Sequence, residues 1–339
     1  MSTSSICDVS RNYNILEKFP DLFTPPVFDK TVPVYSTFYY DGKQDENGQW
    51  IKSCKERHIA NLHISYAVGE SVGCNCGLHG FNGRPGETAM NIGRIANYHN
   101  IDHVTIESTK YSADAKPELE DNLKIKPLFE LLFVLFICLK KISMDKELKL
   151  NKTKIHLYLH SLAARAGTDL ALMGKFAGLP IKEFTFADSY FFTGPSIIDG
   201  RERGIKVPPD KELLILPDVL TEYNESAIES GSAVEFSTVY RPEYLKRVFS
   251  DYDEKFSKAL TGNQRVNFIA GKASRYVSLR QSMQVFNLFG HENKQFYEIE
   301  GADHWFNKHK SNPPIPVPEF YMAIDEIIEG FATRCRGTT

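Results

Sequence analysis

The chain has 339 residues, 42% of them hydrophobic and 24% charged. That composition can bury a sizeable core and excludes a disordered, collagen-like or coiled-coil chain, and the length suits one large α/β domain with an insertion. Forty Lys and Arg against 43 Asp and Glu leave a formal charge of −3, so no bulk attraction to nucleic acid or anionic membrane is expected and a small-molecule substrate fits better.

Residues 1–55, with Pro20, Pro25, Pro26 and Pro33 ahead of Tyr39, Tyr40 and the loop-like DGKQDENGQW, are expected to be an N-terminal arm and a first hairpin. The opening Met-Ser-Thr-Ser-Ser-Ile-Cys-Asp-Val lacks the basic start and apolar run of a signal peptide. Six scattered cysteines, Cys7, Cys54, Cys74, Cys76, Cys138 and Cys335, are too few for a disulfide framework. A cytoplasmic, reducing compartment is expected.

From Ile59 the pattern changes. IANLHISYAV alternates as a half-buried strand does, VGCNCGL is a short apolar strand with both thiols on one face, and the polar turn His79-Gly80-Phe81-Asn82-Gly83-Arg84-Pro85-Gly86 follows. A helix is predicted from near Thr88, then a strand at HVTIES. LFELLFVLFICL at 128–139 is about a dozen residues, short of the roughly 20 that span a bilayer, and reads as a buried helix. At Lys154-Ile-His-Leu-Tyr-Leu-His-Ser-Leu-Ala-Ala-Arg-Ala-Gly a β-rich run meets an Ala-rich one at Ser161 with no polar linker, a strand turning sharply into a helix.

Strands are predicted at 184–191 (FTFADSYF), 266–271 (VNFIAG) and 296–306 (FYEIEGADHWF), and Phe320, Ile324, Ile327, Ile328 and Phe331 stand at the spacing of a closing amphipathic helix. Alternating strands and helices predict a mostly parallel sheet covered on both faces. Residues 192–262 interrupt the alternation and exceed any ordinary connection, so they are assigned to a helical lid between core segments 56–191 and 263–339.

Three loops then stand at carboxyl ends of predicted strands, where open α/β sheets place ligands. They carry His79-Gly80-Phe81, Ser161, and His304 within Gly301-Ala302-Asp303-His304-Trp305-Phe306. Acyl transfer needs oxyanion donors, a nucleophile and a base, and these loops can supply them in that order. No GxGxxG, HExxH or phosphate-binding loop occurs, and His156 and His160, four apart on a strand, do not share the helical face that a metal pair needs. No cofactor and no metal is expected, and the oligomeric state is open.

Leu159-His160-Ser161-Leu162-Ala163-Ala164-Arg165 resembles the nucleophile elbow of the α/β-hydrolase superfamily, often written GHSLGAR; His79-Gly80-Phe81 resembles its oxyanion loop and GADHWF its terminal His motif. The resemblance covers about residues 57–331. It implies an inserted-lid hydrolase with Ser161 as nucleophile, His304 as base, the backbone N–H groups of Phe81 and Leu162 as oxyanion hole, and His79, Gly80 and His160 as supporting residues. It implies a serine hydrolase that cleaves an ester, thioester or amide through an acyl-enzyme.

Two departures bear on that reading. Leu159 replaces the elbow's first Gly, where the helix crosses close over the strand, and Ala163 replaces the second. Where the family usually carries its acid, after the penultimate strand, Gly271-Lys272-Ala273-Ser274 presents a hydroxyl, which cannot supply the charge that stabilises an imidazolium. Some family members place the acid one strand earlier, and Asp188 stands there. The same departures motivate an alternative, a weakly active or inactive hydrolase-fold ligand receptor or interaction protein.

Overall fold

A computed structural model describes residues 6–7, 13–24, 27–36, 39–44, 46, 50–53, 57–80, 87–109, 127–172, 178–189, 264–274, 277, 279–289, 292–312 and 314–337. The expected lid at 192–262 and Phe81 lie outside the described residues. In chain order the elements are β1 (Ile6–Cys7), α1 (Ile15–Lys18), β2 (Lys30–Ser36), β3 (Tyr39–Gln44), β4 (Trp50–Ser53), β5 (Arg57–Ser65), β6 (Gly73–Leu78), α2 (Glu87–Tyr98), β7 (Ile101–Ser108), α3 (Pro127–Met144), β8 (Ile155–His160), α4 (Leu162–Leu172), β9 (Ile181–Ala187), β10 (Arg265–Gly271), α5 (Leu279–Leu288), β11 (Lys294–Ile299) and α6 (Pro318–Arg336).

Among the described residues the main sheet has nine strands in the order β1-β11-β10-β9-β8-β6-β7-β5-β2, parallel from β1 to β7 and antiparallel at β5 and β2. Every residue of β8 is buried, because helices cover both faces of a parallel sheet. Leu157 and Leu159 enter one core with Val134 and Leu135 of α3, Ala163 of α4 and Phe286 of α5. Tyr158, one residue out of phase, enters the other with Ile95 of α2 and Ile324 and Phe331 of α6. Helix α6 starts with Pro318 in its first turn, where a missing N–H costs nothing, and its periodic apolar residues face the sheet.

The N-terminal arm does more than the sequence suggests. Strands β3 and β4 pair antiparallel in a small second sheet. However, β2 pairs with β5 and closes one edge of the main sheet, and Ile15, Phe19 and Leu22 are buried in the α2–α6 core. Pro33 obscures β2 in the sequence; an edge strand tolerates it because one side of its ladder is unpaired.

Two strand ends also differ. The strand expected at 184–191 runs 181–187, because Asp188 turns into the left-handed region at φ 38°. The strand expected at 296–306 runs 294–299, and Gly301 at φ 66° redirects the chain. A Gly tolerates that conformation without a Cβ clash.

Candidate active site

From β6 the chain moves outward to β7, then returns to lay β8 on the opposite side of β6. Strand order reverses there, and in open α/β sheets ligands bind at the carboxyl ends of the strands flanking such a point. His79 and Gly80 follow β6 at this edge, Ser161 follows β8, and the loops after β9, β10 and β11 lie in line with them.

Ser161 occupies the left-handed region at φ 56°, its N–H bonded to the carbonyl of Ala187 at 3.1 Å. A serine there carries a strain cost, and the conformation is what lifts the side chain out of the strand before α4 begins. Leu162 opens α4, so its N–H is one of the helix's orphan donors at the positive end of the dipole.

His304 Nε2 lies 3.0 Å from Ser161 Oγ, and His304 Nδ1 lies 2.5 Å from Asp188 Oδ2. A carboxylate only accepts, so Nδ1 carries the proton and Nε2 is left to accept from the serine hydroxyl. The structure therefore brings together Ser161, His304 and Asp188, three residues of three different loops. Asp188 is fully buried. Its Oδ1 accepts from the Gly271 N–H at 3.2 Å and its Oδ2 also accepts from the Ser274 hydroxyl at 2.5 Å. Asp303, the neighbour of His304, points away: its Oδ1 accepts from the N–H groups of Trp305 and Asn307, pinning the turn.

The remaining candidates frame this triplet. His160 Nε2 donates to the carbonyl of His304 at 2.8 Å, tying the β8 end to the histidine loop. Burial first, then the neighbouring His304 and His79, hold its pKa well below the usual histidine range, so its ring is neutral. His79 is buried, which lowers its pKa to about 4, and its ring stands 5.6 Å from that of His160.

Sequence reasoning missed two glycines. A Cβ on Gly271 would fall 2.6 Å and 2.7 Å from the carbonyl oxygens of Ala302 and Asp303, so only glycine lets the histidine loop cross the end of β10. A Cβ on Gly167 of α4 would fall 2.3 Å from Leu159 Cδ1. Gly167, six residues beyond the serine, thus leaves the room in α4 that the Leu159 side chain of β8 occupies. A glycine at a strand's end was a readable signal for the first; nothing local marked the second.

No group of His, Cys, Asp or Glu among the described residues is arranged to hold a metal ion, and none of the described helices is long and apolar enough to cross a membrane. Cys74 and Cys76, on one face of β6, are buried with their sulfurs 3.7 Å apart as free thiols.

No family model and no curated protein matches the sequence. Solved structures do match the fold. Est1E from Butyrivibrio proteoclasticus is similar at a TM-score of 0.53 and 14% identity, over 90% of this chain and 99% of that one. DcsB, in complex with its substrate analogue, is similar at 0.55 and 14% identity, over 90% and 100%. A soluble variant of monoglyceride lipase from Saccharomyces cerevisiae, also with a substrate analogue, is similar at 0.54 and 11% identity, over 92% and 98%. The chain has the α/β-hydrolase fold.

Proposed function

We propose that the protein is a serine hydrolase that cleaves an ester, thioester or amide of a small apolar or acyl substrate. The observation that carries the proposal is the unbroken hydrogen-bond chain from Ser161 Oγ through His304 to a buried Asp188 carboxylate, at the carboxyl ends of the sheet's strands.

In this reading Ser161 Oγ attacks the substrate carbonyl carbon as its proton passes to His304 Nε2. The imidazolium that forms is stabilised through Nδ1–H by Asp188, which remains ionised. The carbonyl oxygen becomes an oxyanion facing the start of α4, where the N–H of Leu162 and, by the family resemblance, that of Phe81 receive it. His304 returns the proton to the leaving alcohol, thiol or amine as the C–X bond breaks. Water, deprotonated by the same imidazole, then releases the acyl group as the acid and restores Ser161.

Labelling with a fluorophosphonate tests the proposal without knowledge of the substrate. Ser161 is the expected labelled residue, and Ser161→Ala is expected to abolish both labelling and turnover of an activated ester. Labelling that persists in Ser161→Ala moves the nucleophile elsewhere, and a folded wild type that takes no label refutes the hydrolase reading.

A further inference from the structure

Ser274 stands where the family's acid usually stands, and its own chemistry gives it no charge to contribute. Its surroundings nevertheless leave its hydroxyl one arrangement. The Val277 N–H donates to Ser274 Oγ at 3.3 Å, and Oγ lies 2.5 Å from Asp188 Oδ2. A serine hydroxyl has one proton and two lone pairs, and an ionised carboxylate can only accept. The proton must therefore point at Asp188 while a lone pair faces Val277. The same Oδ2 receives the His304 Nδ1–H at 2.5 Å, and Oδ1 receives the Gly271 N–H at 3.2 Å.

We propose that Ser274 is a positioning residue for the Asp188–His304 pair, its Val277-oriented hydroxyl holding the carboxylate oxygen that faces the imidazole. This rests on the serine hydrolase reading of the site. Asp188 is fully buried on a left-handed backbone, so no regular strand fixes its carboxylate plane. Among the described residues three donors do so, and Gly271 alone holds the oxygen remote from His304. Without the hydroxyl, Oδ2 is retained only by the imidazole it is meant to orient. The carboxylate can then rotate about its terminal torsion, which is soft, and the ring can tilt away from Ser161. Charge-assisted hydrogen bonds of this kind are the strong ones, and a small error in placement carries a large kinetic penalty. The acid is thus supplied from the end of β9 and its anchor from the end of β10.

The test compares Ser274→Ala and Ser274→Thr in the full chain. With an activated ester, Ser274→Ala is expected to lower kcat by about 10- to 100-fold with KM within about twofold of wild type, the pattern of an interaction that acts in the transition state. Ser274→Thr, which keeps the hydroxyl, is expected to recover kcat to within about threefold. Equal kcat in Ser274→Ala and wild type, or no recovery in Ser274→Thr, overturns the proposal. A second readout needs no turnover: the low-field proton resonance of the His304 Nδ1–H should move in Ser274→Ala and be retained in Ser274→Thr. An unmoved resonance overturns the positioning role even if the enzyme is active, and a moved one in an inactive wild type upholds it while the hydrolase reading fails.

Discussion

Replacing Gly167 by Ala tests how the turn from β8 into α4 accommodates Leu159. Carbon atoms in contact sit about 3.5–4.0 Å apart, whereas the added methyl would lie 2.3 Å from Leu159 Cδ1, 3.6 Å from its Cγ and 3.8 Å from its Cδ2. Leu159 is fully buried among Val134, Leu135 and Phe286, so its branch has no free rotamer to take without displacing a neighbour or lifting α4. Overpacking of this kind costs about 1–3 kcal/mol, against about 1 kcal/mol gained by putting Ala for Gly in a helix, so the net loss is expected to lie between zero and about 2 kcal/mol. Leu159→Ala alone should cost about 2–5 kcal/mol through the cavity it leaves. In the double variant the methyl introduced by Gly167→Ala enters that cavity, and the two single losses should sum to more than the measured loss by about 1–3 kcal/mol. Urea denaturation of the four proteins measures the cycle. The rate of fluorophosphonate labelling at Ser161 should fall in Gly167→Ala, because the lifted helix carries the start of α4 with it, and recover in the double variant. Coupling within about 0.3 kcal/mol of zero would refute the steric argument.

Asp188→Asn should lower turnover by a factor on the order of 10⁴, since an amide neither stabilises the imidazolium nor selects the Nδ1–H tautomer; steady-state kinetics decide, and a loss of less than about tenfold removes Asp188 from the mechanism. A further prediction concerns Asp325, fully buried on α6 and bonded to Lys18 Nζ at 2.7 Å, His99 Nε2 at 2.7 Å and the Tyr13 hydroxyl. Burial alone would raise its pKa, but the bonds from His99, Lys18 and Tyr13 outweigh burial and hold it below the usual carboxylate range. A depressed folded-state pKa stabilises the fold above the unfolded value of about 3.9, and that contribution is lost as pH falls through the folded value. Denaturant unfolding from pH 7 to pH 3 should therefore show Asp325→Asn less stable than wild type by about 3 kcal/mol at neutral pH, as expected for breaking a buried pair. The gap should close only below about pH 4; a constant gap would place the cost in packing rather than charge.

The strand before Ser161, the sharp turn and the helix after it were legible because they depend on neighbours in sequence: period-two apolar residues, an abrupt change of propensity and no linker. The order of the His79, Ser161 and His304 loops was legible for the same reason. The choice of acid was not settled locally, since Asp188 and Ser274 stand at the ends of adjacent strands. Parallel pairing of Ala187 with Ile269 places those ends side by side, and the Ser274 hydroxyl donates to the Asp188 carboxylate. Gly167 could not be read at all, because its reason is the side chain of Leu159 on another element. Strand β2 was hidden by Pro33, whose tolerance depends on being at an edge. Local backbone and side-chain preferences determine which elements form. Only strand order and register decide which groups meet, as Asp188 and His304 do across 116 residues of chain.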